Sequence, residues 1–130
     1  MIQQNIKILN FGWNGYYVIL KIIVGIVYYS YRIKGGIKIK RYIFNREEFD
    51  WAEEFYLLIK KKMNLPEYFG CNADALWDVL TGYIETPCEI VFIGFNKQEN
   101  EYNKNLINRI ISCFKDAEKE YPNKFKIVFS

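Results

Sequence analysis

The clearest pattern of apolar and polar positions begins at Ile37. Ile37, Ile39 and Ile43 alternate with Lys38, Lys40 and Tyr42, the period of two expected of a strand over Ile37–Phe44. The period then changes. Phe49, Ala52, Tyr56, Ile59 and Met63 recur at helical spacing, and Asn45 followed by Glu48 has the form of a capping box at the start of that helix. Acids fall in its first turn and Lys60, Lys61 and Lys62 in its last, as the helix dipole prefers. The lysine run therefore reads as a solvated helix end and not as a binding site. Leu65-Pro66 stops the helix, and Asn72 is a good cap for a second, short one over Ala73–Thr81, ended by Gly82. Pro87 opens an apolar strand, Cys88–Phe95. Leu106, Ile107, Ile110, Ile111, Phe114 and Ala117 mark an amphipathic helix from about Glu101 to Glu120, and after Tyr121-Pro122-Asn123 comes a last strand, Phe125–Phe129. Strands joined through helices run parallel, so residues 37–130 are expected to form a small α/β domain, a three-stranded parallel sheet packed with helices.

Residues 1–36 read differently, as an N-terminal extension to that domain. Tyr16–Tyr31 is very apolar but is broken by Lys21, Gly25 and Ser30. Its core, Ile22–Tyr29, is far shorter than the roughly 20 apolar residues of a membrane-spanning helix. It also lacks the charged start and small-residue cleavage site of a signal peptide. β-branched and aromatic residues dominate, which favours a hairpin or extra strands over a helix. An unordered or not natively made segment and a membrane-associated one are the other readings. Lys34-Gly35-Gly36 is expected to be a linker or turn.

Charge sharpens this division. The net charge of +3 combines residues 1–36, with Lys7, Lys21, Arg32, Lys34 and no acid (+4), and residues 37–130, with 14 bases and 15 acids (−1). A nucleic-acid binder would carry a clustered basic face, so no nucleic-acid partner is expected. A slightly acidic compact domain suits a basic protein partner better. The chain has no histidine, which removes the commonest general base and metal ligand. Cys71, Cys88 and Cys113 are odd in number and widely spaced, giving neither a disulfide framework nor a zinc pattern. The expectation is a cytoplasmic protein with no cofactor and no metal.

Two pairs of acids hold the candidate chemistry. Asp74 and Asp78 are four apart on the second helix and share a face, while Ala73, Leu76 and Leu80 form the apolar face and Trp77 sits between. Asp116 and Glu120 repeat the spacing near the end of the last helix, where the dipole disfavours acids. The plain reading is two solvated faces. Against it, Tyr68-Phe69-Gly70 and Gly82-Tyr83-Ile84 place aromatics at both ends of the acidic helix, and aromatics beside charge are the usual anchors of an interface. For Phe69 and Trp77, core packing is an equal reading. Acid–base catalysis by these carboxylates would need a substrate cleft for which the domain has little room, and they lack the loop spacing of a calcium site. The chain is therefore not expected to be an enzyme.

The run LPEYFGCNADALWDVLTGYIETP, from Leu65 to Pro87, resembles the signature of the barstar family. The order of elements from Ile37 to Ser130 is similar as well. The resemblance implies a barstar-like fold and an intracellular inhibitor of a basic, secreted ribonuclease of the barnase type, bound one to one by plugging its active site. It implies a contact surface of Tyr68, Gly70, Asn72, Ala73, Asp74, Trp77, Asp78, Thr81, Gly82, Tyr83 and Ile84, with Asp116 and Glu120 as further acidic contacts. Asp78 would lie where an RNA phosphate binds, facing Arg and Lys residues, Asp74 would meet a second cation, and Tyr68 would stack on the catalytic imidazole. Cys71, Ala73, Tyr83 and Asp116 depart from the family pattern, which has an acid, a larger aliphatic residue, a tryptophan and a glutamate there. The alternative is an immunity or interaction protein for a different toxin, or a membrane-tethered interaction module.

Overall fold

The structure, a computed structural model, describes residues 5–10, 17–23, 26–34 and 37–130, with side chains from residue 39 onward. Strands β1 (Asn5–Asn10), β2 (Tyr17–Ile23), β3 (Ile26–Lys34) and β4 (Ile37–Asn45) pair antiparallel in sequence order. β4 then pairs in parallel with β5 (Cys88–Ile93), and β5 with β6 (Phe125–Phe129), making one six-stranded sheet. The first parallel crossover contains helices α1 (Ala52–Lys62) and α2 (Ala73–Gly82), the second α3 (Glu101–Glu120). The expected three-stranded parallel sheet is present. Of the readings of residues 1–36, the strand reading is the one seen at β1–β3, while Gly35 and Gly36 of the expected turn lie outside the described residues.

One face of the parallel strands meets the helices. In register, Tyr42 lies beside Ile90 and Ile127, Phe44 beside Phe92, and Cys88 beside Phe125. Phe44 is fully buried, with ring centroids 5.8 Å from Phe55 of α1, 5.9 Å from Phe92 and 6.1 Å from Phe114 of α3. Ile39 and Ile43 fall on the other face and are only half-buried. The alternation thus gave the strand correctly but not which phase faces the helices. The aromatic phase does, because large rings fill the gap between a sheet and three helices.

Three boundaries depart from the sequence pattern, each for a local reason. Asn45 and Glu48 do form a capping box, with the Glu47 amide donating to Asn45 Oδ1 (3.0 Å) and the Asn45 amide to Glu48 Oε1 (2.9 Å). They cap only one 3₁₀ turn, Arg46–Glu48, and α1 starts six residues after Arg46, at Ala52. The Arg46 guanidinium donates to the carbonyls of Phe49 and Asp50, so those carbonyls are not available to a continuous helix. α1 ends one step before Leu65-Pro66. Asn64 adopts φ 50°, the Leu65 amide bonds the Lys60 carbonyl (2.9 Å), and Leu65 is buried, a Schellman ending. β5 stops at Ile93 and not Phe95, because Gly94 turns at φ 74° and Phe95 folds back over Phe55 and Phe92, both 5.3 Å away.

Candidate functional site

The site is built outward from α2 and the loop before it. Phe69 is buried against Tyr56 of α1 (6.4 Å between ring centroids) and pins that loop to the core, so of its two equal readings, interface anchor and core packing, core packing is the one seen. Its neighbour Tyr68 is 81% exposed as a result. Asn72 then does two jobs. Its Oδ1 accepts from the Ala75 amide (2.8 Å), capping α2, and its Nδ2 donates to the Gly70 carbonyl (3.1 Å), holding the loop against the helix. A Cβ on Gly70 would approach Asn72 Nδ2 to 3.0 Å, so a side chain there would press on the amide that holds the loop. Between them Cys71 takes φ 49°, a left-handed conformation that costs a non-glycine residue about 1 kcal/mol or more.

The inward face of α2 is Leu76, Val79 and Leu80. Ala73 is exposed, a correction to its place on the apolar face: the first turn of α2 overlies α3, where the Cys113 thiol lies 3.8 Å from the Ala73 carbonyl. Asp74, Asp78, Thr81, Gly82 and Tyr83 are exposed, and Trp77 and Ile84 are half-buried. The Thr81 hydroxyl donates to the Trp77 carbonyl (2.8 Å), and Tyr83 reaches the Asn64 carbonyl (3.4 Å) at the end of α1. Every residue of the expected contact set therefore has some exposure, with Tyr68, Gly70, Asn72 and Asp74 among the exposed ones.

Asp74 and Asp116, far apart in sequence, lie near one another where α2 packs on α3 at Cys113, whose thiol reaches the Ala73 carbonyl. Burial pushes that thiol up to about 11, and the charges of Asp116 and Asp74 add to the rise. An open hollow beside Trp77 is lined by Asp116, Lys119 and Glu120. Among the described residues, no ion pair or hydrogen bond engages the carboxylates of Asp74, Asp78, Asp116 or Glu120. Exposed carboxylates without a partner, two of them beside a half-buried indole, are groups of the kind that can bind cations. Sequence reasoning missed Lys119. Its position three residues after Asp116 puts it beside the pair, but a lysine in a last helical turn reads first as dipole compensation.

A family model described as Barstar (barnase inhibitor) matches residues 43–130. The chain belongs to the barstar family. Its helices, its parallel strands and the whole acidic face lie within that span, apart from the first residues of β4. The chain is also 29% identical, over 89 residues, to a protein of Bacillus subtilis (strain 168) named "Putative ribonuclease inhibitor YrdF". The match takes in 68% of this chain and 97% of that protein. Among the described residues, no helix is long and apolar enough to cross a membrane, and no group of three or more metal-capable side chains gathers.

Proposed function

We propose that this protein inhibits a secreted ribonuclease of the barnase type, one to one, by filling its active-site cleft with α2 and the Tyr68–Asn72 loop. The observation that carries this reading is the set of four exposed carboxylates without partners on α2 and α3, two of them beside the half-buried Trp77, in a member of the barstar family. A nuclease cleft that binds RNA phosphates is lined with cations. Asp78, near the middle of α2, stands in for the phosphate, Asp74 meets a second cation and Tyr68 stacks on the catalytic imidazole. Tyr83, Thr81 and Ile84 close the rim, and Asp116 and Glu120 hold the cations at its edge. In this reading the chain has no catalysis of its own and acts in the cytoplasm of the cell that makes the nuclease, where Cys71, Cys88 and Cys113 remain free thiols.

The test is a titration of several purified barnase-type ribonucleases. Activity should fall linearly and vanish near one equivalent. Full activity of all of them at micromolar inhibitor would sink the reading. Ala73, Tyr83 and Asp116, smaller or shorter than the family pattern and all on the open face, favour a second reading, immunity to a different cationic toxin. Capture of a non-ribonuclease toxin by the same face would establish it.

A further inference from the structure

We infer that Lys119 is a selectivity residue of this face, one that opposes the arrival of a partner's cation in the hollow between α2 and α3. The inference rests on the ribonuclease-inhibitor reading. The hollow is lined by Trp77, Asp116, Glu120 and Lys119. An indole and two carboxylates form a site for a guanidinium or ammonium group, which can lie on the ring and bond the acids. Lys119 is a base within that lining. No carboxylate of the hollow comes within ion-pair distance of it, so neither acid holds it in place.

The consequence is arithmetic. Two carboxylates give the lining −2, and Lys119 brings it to −1. The Asp74 and Asp78 carboxylates share α2 with no base. The acidic face is thus divided: α2 attracts cations at full strength, and the α3 side attracts them at half. Exposed charges a few ångströms apart repel by roughly the energy of a threefold to tenfold change in an equilibrium, and they act mainly on encounter. A partner that presents a lone cation to the hollow is penalised by Lys119. One that presents a cation beside a carboxylate is not, because the carboxylate pairs with the lysine. Lysine suits this role better than arginine in one respect: its flexible stem lets the ammonium move aside without leaving the field of the hollow.

The experiment uses the full-length chain, its Lys119→Gln and Lys119→Arg variants, and the barnase-type ribonuclease it inhibits best, with association rate and affinity measured at low and high salt. Lys119→Gln should bind about threefold to tenfold tighter, chiefly through faster association, and with a steeper salt dependence. Lys119→Arg, which keeps the charge, should stay near the parent, and Asp116→Ala should weaken binding more in the Lys119→Gln background than alone. Unchanged or weaker binding by Lys119→Gln, with the parent still inhibiting, would overturn the role of Lys119 and leave the functional reading standing. Absence of inhibition by the parent would overturn that reading and this inference with it.

Discussion

The two ends of the helical layer treat their charges in opposite ways. Where β4 runs into α1, carboxylates are matched. Glu48 pairs with Lys62 (2.6 Å), Glu47 with Lys97 (2.8 Å), and Glu99 pairs with Arg46, which also lies over the Phe49 ring, 4.4 Å from its centroid. Where α2 meets α3, Asp74, Asp78, Asp116 and Glu120 have no partner among the described residues. Both ends are rich in acids, so composition does not separate them. The difference is that one set is paired, with Arg46 and Glu99 largely out of solvent, while the other stands exposed and unpaired. Unmatched like charges weaken a fold slightly, so a face that keeps them is better suited to a partner than to stability.

The largest effect should come from breaking the open end. Asp78→Ala should weaken nuclease binding by about 2–5 kcal/mol or more, mostly through faster dissociation, because the partner's cations are left buried without an anion. That range belongs in part to the barnase–barstar pair itself and is carried over from it to this chain. Asp74→Ala should weaken binding as well. Glu47→Ala, at the matched end, should leave it unchanged. Equal losses at Glu47 and Asp78, read by inhibition kinetics, would show that the wrong end has been assigned to the partner.

The matched end should respond the other way, in stability and not in binding. Arg46 is buried, its guanidinium shared among Glu99, the Phe49 carbonyl and the Asp50 carbonyl. Hydrogen bonding to Glu99 raises its pKa further, so it stays charged throughout the folding range. Arg46→Met removes the cation and leaves Glu99 largely buried and alone, for a loss of about 3 kcal/mol in denaturant unfolding. Inhibition per folded molecule should be unaffected. A loss of inhibition without a loss of stability would contradict the separation of the two ends.

The buried thiols of β5 and α3 give the next smaller effect. Burial pushes the Cys88 thiol up to about 12 and the Cys113 thiol up to about 11, from an ordinary value of 9.0. The folded state then holds protons that the unfolded chain releases, so this stability is complete below about pH 9 and is lost as pH rises towards 11 and 12. By pH 10.5 the loss from Cys88 alone should be about 2 kcal/mol. Urea unfolding from pH 8 to 10.5 measures it, and Cys88→Ala should flatten the slope. A pH-independent stability over this range would mean that these thiols are not held protonated by the core.

How legible this was in the sequence varies by element for physical reasons. α3 and β6 were legible to the residue, because a long amphipathic period between an asparagine-rich loop and Tyr121-Pro122-Asn123 leaves no competing reading. The start of α1 was not, because it depends on Arg46, whose partner Glu99 is 53 residues away. The phase of β4, the burial of Phe69 and the exposure of Ala73 likewise depend on what packs above them. At the site, the Leu65–Pro87 signature singled out the residues of α2, but Lys119 could be placed only once α2 and α3 were seen to share a hollow.

The smallest expected effect is that of deleting the extension, for which residues 37–130 are proposed to fold and act alone. β4 divides its pairing. β3 pairs with Ile37–Arg41, whereas β5 pairs with Lys40–Asn45. Tyr42 and Phe44, which pack under the helices, lie on the β5 side of that division. Removing residues 1–36 therefore unpairs the half of β4 that contributes least to the core, and every residue of the acidic face lies within 68–120. The deletion also removes +4 beside a domain of −1, which should, if anything, speed encounter with a basic nuclease slightly. The fragment should unfold in one cooperative transition and inhibit as well as the full chain. A fragment that fails to fold would make the antiparallel strands part of the core. One that folds but inhibits several-fold less would extend the contact surface beyond the α2–α3 face.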